Sequence, residues 1–368
     1  MKYKYLILSL LIPLISLITS GFAIANNTST QKNIHLLFVG SAHANKAKVE
    51  LLKKVASKNS IASWKITHQS ASGLKDLQQA QVLFNQQDII IFDAVSANES
   101  EKTFAKYLPL FRNKNENTPK FISLNRLNVP ETHYGFTSSQ LQATTDYWKN
   151  AGRTNLTNLL SYLSINVLKK DSKALVSAPI IFPKQGIYHP KQPLLISESL
   201  TAYQSWTAPK KDQPRIALLL QRALIETEQT QLIDATISQL EDKGIYVVPF
   251  FFELSRVNKD YRHLLLLDNE LTDKNAQTSQ IDLIINFRNI HWASQRKVEF
   301  EKFGIPVIQA MTYYSGDQKA WEEDKQGVSA GMMAFTLVLP ESAGVTDPMI
   351  VAAMDMKTHT TKVIDYQL

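Results

Sequence analysis

PRIALLLQRALIETEQTQLIDATISQLEDKGIYVVPFFF, residues 214–252, decides the fold. PRIALLLQ (214–221) is an unbroken apolar run of strand length. Residues 228–243 then put Leu232, Ile233, Ile237 and Leu240 on one helical face. GIYVVPFFF (244–252) is a second apolar run. Strand, helix and strand without alternation in either strand describe a parallel sheet covered on both faces.

The pattern continues outward. A helix is expected near 258–268, a third strand at IDLIINF (281–287), a helix over 291–303 and a fourth strand at GIPVIQA (304–310). Upstream the same alternation occurs once more. IHLLFVG (34–40), IASWKIT, DIIIFDAV (88–95) and KFISLN (120–125) read as strands, separated by helices near 46–58, 74–86 and 99–109. Residues 138–170 read as mainly helical. PIIFPKQGIYHPKQP (179–193), with four prolines and a glycine, reads as an irregular connector. The fold class is therefore α/β, with two doubly wound parallel-sheet units. The boundaries read as an N-terminal α/β domain over 33–175, a Pro-rich connector over 176–212 and a second, flavodoxin-like α/β domain over 213–315. Residues 316–368 read as the start of a further, truncated domain.

The 368 residues suffice for two or three domains, and 44 % apolar residues suffice for their cores. The formal charge of +7 includes Lys2 and Lys4 and is otherwise scattered. No dense Lys/Arg run marks a nucleic-acid partner, whereas an anionic small ligand suits the balance. Lys2, Lys4, the apolar LILSLLIPLISLIT and the small-x-small Ala23–Ala25 form a targeting signal over 1–25. It reads as a cleaved secretory signal, with an uncleaved inner-membrane anchor as the alternative. Both readings place the chain in an exported, periplasmic setting. The chain has no cysteine, so neither disulfides nor thiolate ligands are available.

In doubly wound sheets ligands sit beyond the carboxyl ends of the strands. Those ends offer Ser41, His43 and Asp93 in the first unit, and Arg222, Arg288, His291, Met311, Tyr313 and Tyr314 in the second. Two arginines on one rim can pair bidentately with carboxylates. His, Met and Tyr are haem-iron ligands that need no thiolate. The same arginines could instead bind helix ends, and Met311 and Tyr313 could simply pack. His189 stands on the Pro-bounded GIYHP, where packing seldom calls for an imidazole. His35 reads as a packed strand residue, and His68, His133, His263 and His359 are isolated. GxGxxG, GxxxxGK[ST], HExxH and GxSxG are absent, so no nucleotide site of the usual kind is expected. FTLVLPESAGVTDP (335–348) reads as a buried strand that ends in Pro340 and places Glu341 at a turn.

GIYHP (186–190), RIALLLQR, LEDKGIYVVPFFF, IDLIINF, GIPVIQA, Trp321, GVSAGMMAFTLVLPE and GVTDP come in one order over about residues 160–356. In that order and spacing they resemble the large subunit of cobaltochelatase and magnesium chelatase, the CobN-type family. Residues 33–160 fit that family's variable N-terminal region weakly. The resemblance implies a tetrapyrrole ligand, haem or corrinoid, with cobalt, magnesium or iron as substrate metal. It implies a junction near the tetrapyrrole cleft at Glu341 and Gly344. It also implies a much longer chain and AAA+ partner subunits, which an exported protein would not meet. The chain is accordingly expected to be an N-terminal segment, with the remainder of the family domain possible on another chain. Two functions stay open. One is metal exchange with a tetrapyrrole, with Glu341 and His189 as catalytic groups, Arg222, Arg288, His291 and Tyr313 holding the ligand and His291 on the metal. The other is a non-catalytic periplasmic tetrapyrrole- or solute-binding module.

Overall fold

The computed structural model describes residues 33–40, 46–74, 76–93, 97–112, 115–124, 132–170, 173–192, 196–253, 255–257, 259–273, 280–356 and 360–364. The signal segment and Ser41, His43 and His359 lie outside the described residues. No described helix is long and apolar enough to cross a membrane.

The first unit runs β1 (Ile34–Gly40), α1 (Lys46–Ala56), β2 (Trp64–Ser70), α2 (Leu77–Phe84), β3 (Ile89–Asp93), α3 (Ala97–Tyr107), β4 (Lys120–Ser123) and β5 (His133–Tyr134). Its sheet has the order β2-β1-β3-β4-β5, parallel except for β5. Period-two alternation divides the strand side chains between the faces. Leu36, Phe38, Ile89 and Ile91 meet Val49 and Leu52 of α1. Leu37, Val39, Ile90 and Phe92 meet Phe84, Phe104 and Tyr107. Each such burial contributes on the order of 1.5–3 kcal/mol. Two further helices, α4 (Ser138–Asn150) and α5 (Gly152–Tyr162), close the first face. Thr137 and Gln140 form a capping box at the start of α4.

Asn155 bonds both the N–H and the C=O of Ile180 at 2.8 Å, and Asn150 Oδ1 accepts from Phe182 N at 3.0 Å. Two side-chain amides thus replace strand partners for the connector. The connector is more regular at its end than the prolines suggested. Gln185–Tyr188 is a strand, β6, paired antiparallel with Ile196–Ser197, β7. Gly186 permits this pairing, because a Cβ there would stand 2.5 Å from Ile196 and 3.0 Å from Ser197 O.

The second unit continues with α6 (Leu200–Thr207), β8 (Arg215–Leu220), α7 (Arg222–Glu226), α8 (Gln231–Asp242), β9 (Tyr246–Phe252), β10 (Leu283–Asn286), α9 (Ala293–Phe303) and β11 (Val307–Tyr313). After β11 come α10 (Gln318–Glu323), α11 (Ala330–Met333), α12 (Leu339–Ser342), β12 (Thr346–Asp355) and β13 (Thr360–Val363). The sheet order is β13-β12-β11-β10-β8-β9-β6-β7. β12, β11, β10, β8 and β9 are mutually parallel, as the four apolar runs required. Counted within its own unit, each sheet has strand order 2-1-3-4, and β12 adds a fifth strand to the second. This is the flavodoxin-like order, whose switch point lies between strands 1 and 3.

Three sequence expectations are corrected. Residues 335–341 are helical, not a strand: a π-helical turn, Ala334–Val338, leads into α12. Met332, Thr336 and Pro340 recur every four residues, with Thr336 and Pro340 buried, and Pro340 fits a helix's first turn. Second, the helix near 258–268 is only a 3₁₀ turn, Arg262–Leu264. Leu264, Leu265 and Leu266 are all fully buried, and three consecutive residues cannot share one helical face. Third, the second sheet does not end at the expected boundary of 315: β12 and β13 extend it.

Candidate functional site

The switch points fix where to look. In the first unit the ends of β1 and β3 are pressed together, and a Cβ on Gly40 would lie 2.1 Å from Asp93 O. Asp93 ends β3, and its Oδ2 accepts from Trp148 Nε1 of α4 at 2.5 Å. The Trp148 ring stacks on Phe38 at 4.5 Å. Lys48, in the first turn of α1, donates to Trp148 O at 3.0 Å and sits 5.1 Å from the ring centroid. Burial raises the proton affinity of Asp93, with the indole bond and Lys48 pulling against it. Burial also lowers the Lys48 pKa, opposed by Glu226 and Asp93.

In the second unit, α7 begins at the end of β8. Its Arg222 Nη2 pairs with Glu226 Oε1 at 2.7 Å. Glu226 is 6 % exposed, and burial holds its carboxyl above the usual range against the pull of Arg222 and Lys48. Glu226 and Arg222 of the second unit both act on the charge of Lys48 in the first. An Arg153–Glu228 ion pair crosses the same junction. Three titratable groups displaced from their ordinary values in one place have the signature of a functional site.

Several rim residues have other work. Arg222 Nε donates to Pro183 O at 2.9 Å, Nη2 reaches Phe182 O, and the guanidinium lies 5.2 Å from the Phe182 ring. Arg222 therefore clamps the connector and has little left for a ligand. Tyr313 donates to Asp324 at 2.6 Å and packs on Trp321, and Met311 is buried beside it. Arg288 and His291 follow β10. The His291 ring lies 4.7 Å from Phe335, and burial, then Arg288, lowers its pKa.

The two expected catalytic groups are elsewhere. β6 runs antiparallel to β9, so His189, just past β6, lies at the opposite edge of the sheet. Its Nε2 is 2.9 Å from Glu241 Oε1, and its Nδ1 accepts from Lys191 N at 3.2 Å. With Tyr203, Trp206 and Tyr246 it lines a separate pocket of about 300 Å³. Glu341 is exposed and precedes the start of β12, also at that far edge. Neither reaches the rim of Arg288 and His291.

Sequence reasoning missed Lys48, Trp148 and Glu226. The i, i+4 spacing of Arg222 and Glu226 was the available sign, but it belongs to a five-residue helix too short for periodicity to reveal. Among the described residues no group of three or more His, Asp or Glu could hold a metal ion.

Comparison with known proteins bears on the whole arrangement. The family model CobN/Magnesium Chelatase matches residues 145–368. A magnesium-chelatase subunit of Chlorobaculum parvum is 27 % identical over 235 residues, covering 59 % of this chain and 17 % of that one. The chloroplastic magnesium-chelatase protein ChlH of Oryza sativa subsp. indica is 24 % identical over 231 residues, 58 % of this chain and 16 % of the relative. The aerobic cobaltochelatase protein CobN of Sinorhizobium sp is 24 % identical over 209 residues, 54 % of this chain and 15 % of that one. The chain thus spans about a sixth of these relatives' length. The catalytic subunit of cobaltochelatase from Mycobacterium tuberculosis shares the fold. Its TM-score is 0.54 at 14 % identity, over 91 % of this chain and 26 % of that chain. With the family model matching well over half of its residues, the chain belongs to the CobN/magnesium-chelatase family.

Proposed function

We propose that the chain binds a metallo-tetrapyrrole, haem or corrinoid, where the two C-terminal rims meet. Cobalt, magnesium or iron is then the substrate metal. Family membership supports the ligand class. The observation that carries the place is the convergence of Lys48, Asp93, Trp148 and Glu226 at the switch points of both sheets. Insertion of a divalent metal releases two pyrrole N–H protons, and removal takes two up. A carboxyl whose proton affinity burial has raised is better matched to that exchange near neutrality than an ordinary one. Asp93 and Glu226 are such groups. His291, whose pKa burial and then Arg288 lower, would offer a neutral imidazole to the substrate metal.

The chain alone is proposed to bind the ligand and not to exchange its metal unaided. Its setting is proposed to be exported, on the strength of Lys2, Lys4, the apolar run and Ala23–Ala25, with a mature start at Asn26. N-terminal sequencing of protein from the cell envelope tests this, and a cytoplasmic product retaining Met1 contradicts it.

Absorption titration with haem, protoporphyrin and cobalamin tests the site. Glu226→Gln and Lys48→Met are expected to weaken binding at least about tenfold, some 1.4 kcal/mol. His189→Ala is expected to leave it unchanged. No spectral change with any of the three ligands removes the proposal. Metal exchange by the purified chain contradicts the proposal that it only binds.

A further inference from the structure

We propose that Arg288 and Arg296 form a buried receptor for one carboxylate group at the end of β10. Arg288 is 3 % exposed and Arg296 1 %. Between them lies one acid, Glu299, itself 2 % exposed. Arg296 pairs with that acid: its Nη2 donates to Glu299 Oε1 at 2.6 Å, and its Nε lies 2.6 Å from Oε2 without the alignment of a hydrogen bond. Arg296 Nη2 also donates to Ser255 O at 3.0 Å. Arg288 has no acidic partner among the described residues. Its guanidinium lies 4.5 Å from the centroid of the Phe252 ring. The Nη1 atoms of both arginines are buried without a hydrogen-bond acceptor among the described residues. Glu253, the next acid on this rim, faces Lys184 at 3.3 Å.

Two buried guanidiniums against one carboxylate leave a positive charge uncompensated in the interior. That arrangement is strongly unfavourable unless an anion completes it. Burial pushes Arg288 down to about 10, so it stays charged at neutral pH.

The surroundings hold Arg288 in place. Asn286 Oδ1 accepts from Arg288 N at 3.1 Å, and Asn286 Nδ2 donates to Arg288 O at 3.0 Å. Asn286 Nδ2 also donates to Gln309 Oε1 at 2.6 Å, and Gln309 Nε2 to Ala310 O at 3.0 Å. A satisfied buried amide pair thus fixes the turn that carries Arg288. Arg296 stands in the first turn of α9, an eleven-residue helix whose N-cap, Trp292, supplies no side-chain cap. The helix N-terminus adds partial positive charge to the same place. One surplus charge, the fork of Arg288 and the open Nη1 of Arg296 suit a small monovalent planar anion, of which a carboxylate is the common biological case.

The carboxylate has two possible sources: a small free acid, or an arm of the macrocycle. The second source rests on the tetrapyrrole reading, the first does not. The test is thermal unfolding of the mature chain against acetate at constant ionic strength, with and without a porphyrin bearing carboxylate side chains or its methyl ester. Wild type is expected to show a saturable rise in Tm with acetate. Arg288→Met is expected to lose that rise and to unfold, in acetate-free buffer, no lower than wild type. If Arg288→Met does not fold, Arg288→Lys, which keeps the charge but not the planar fork, is expected to bind acetate at least tenfold more weakly. Acetate competing with the acid porphyrin, with the ester bound weakly, assigns the site to a macrocycle arm. Acetate stabilisation without porphyrin binding supports a free-acid site and removes the tetrapyrrole reading. A wild-type Tm indifferent to acetate, or a variant with the wild-type acetate response, overturns the receptor.

Discussion

Replacing Trp148 by Phe would remove one donor from the junction and little else. Phe retains an aromatic ring to stack on Phe38 and to lie beside Lys48, but it cannot donate to Asp93. A hydrogen bond to an ionised group contributes about 1.5–3 kcal/mol, and one between neutral groups about 0.5–1.5. Asp93 is raised above an ordinary carboxyl by burial, and the indole bond is the largest pull in the other direction. A raised native pKa means that Asp93's contribution to stability is full below its unfolded value, near 3.9, and is lost as pH rises through the native value. The indole bond offsets part of that loss in the ionised form. Trp148→Phe should therefore cost about 1.5–3 kcal/mol at pH 8 and about half as much near pH 4. Urea unfolding followed by circular dichroism at the two pH values measures both. With Asp93→Asn as background, the pH dependence of the Trp148→Phe cost should vanish. A cost that is the same at both pH values would refute the assigned role of the bond.

Asn155→Ala should cost about 1–3 kcal/mol, because it strips the N–H and C=O of Ile180 of their partners, and a urea midpoint unchanged from wild type would contradict that. His189→Ala should lower the unfolding temperature while leaving porphyrin affinity intact, a combination that separates packing from ligand contact. His68, His263 and His291 all have lowered pKa values, burial being the first cause in each. Their contribution is full above the ordinary histidine value of 6.5 and lost as pH falls through the lowered native values. Stability should accordingly drop below about pH 6.5, and His291→Asn should shallow that slope in a pH series of unfolding midpoints.

The strands of both sheets were legible because a parallel strand buried on both faces needs an unbroken apolar run, as in β3 and β9. FTLVLPE misled for the same reason. It is equally unbroken, yet its burial follows a four-residue spacing that a short run cannot announce. GIY in the connector was hidden by flanking prolines, although Ile187 and Tyr188 are core residues. The rim was half legible. Strand ends located Asp93, Arg222 and Arg288, because topology alone puts them there. What the sequence withheld was company: Trp148 bonds Asp93, Lys48 bonds Trp148 from 100 residues away in the chain, and Glu226 of the second unit acts on the charge of Lys48. His189 stood out because its loop is irregular; both its ring nitrogens are engaged, one by Glu241 and one by Lys191 N.

The most direct test of the account is a structure of the chain with a bound porphyrin. The account places the macrocycle between the ends of β1 and β3 and the ends of β8 and β10, within reach of Lys48, Asp93 and Glu226. A macrocycle found instead against Trp206 and His189 would contradict it.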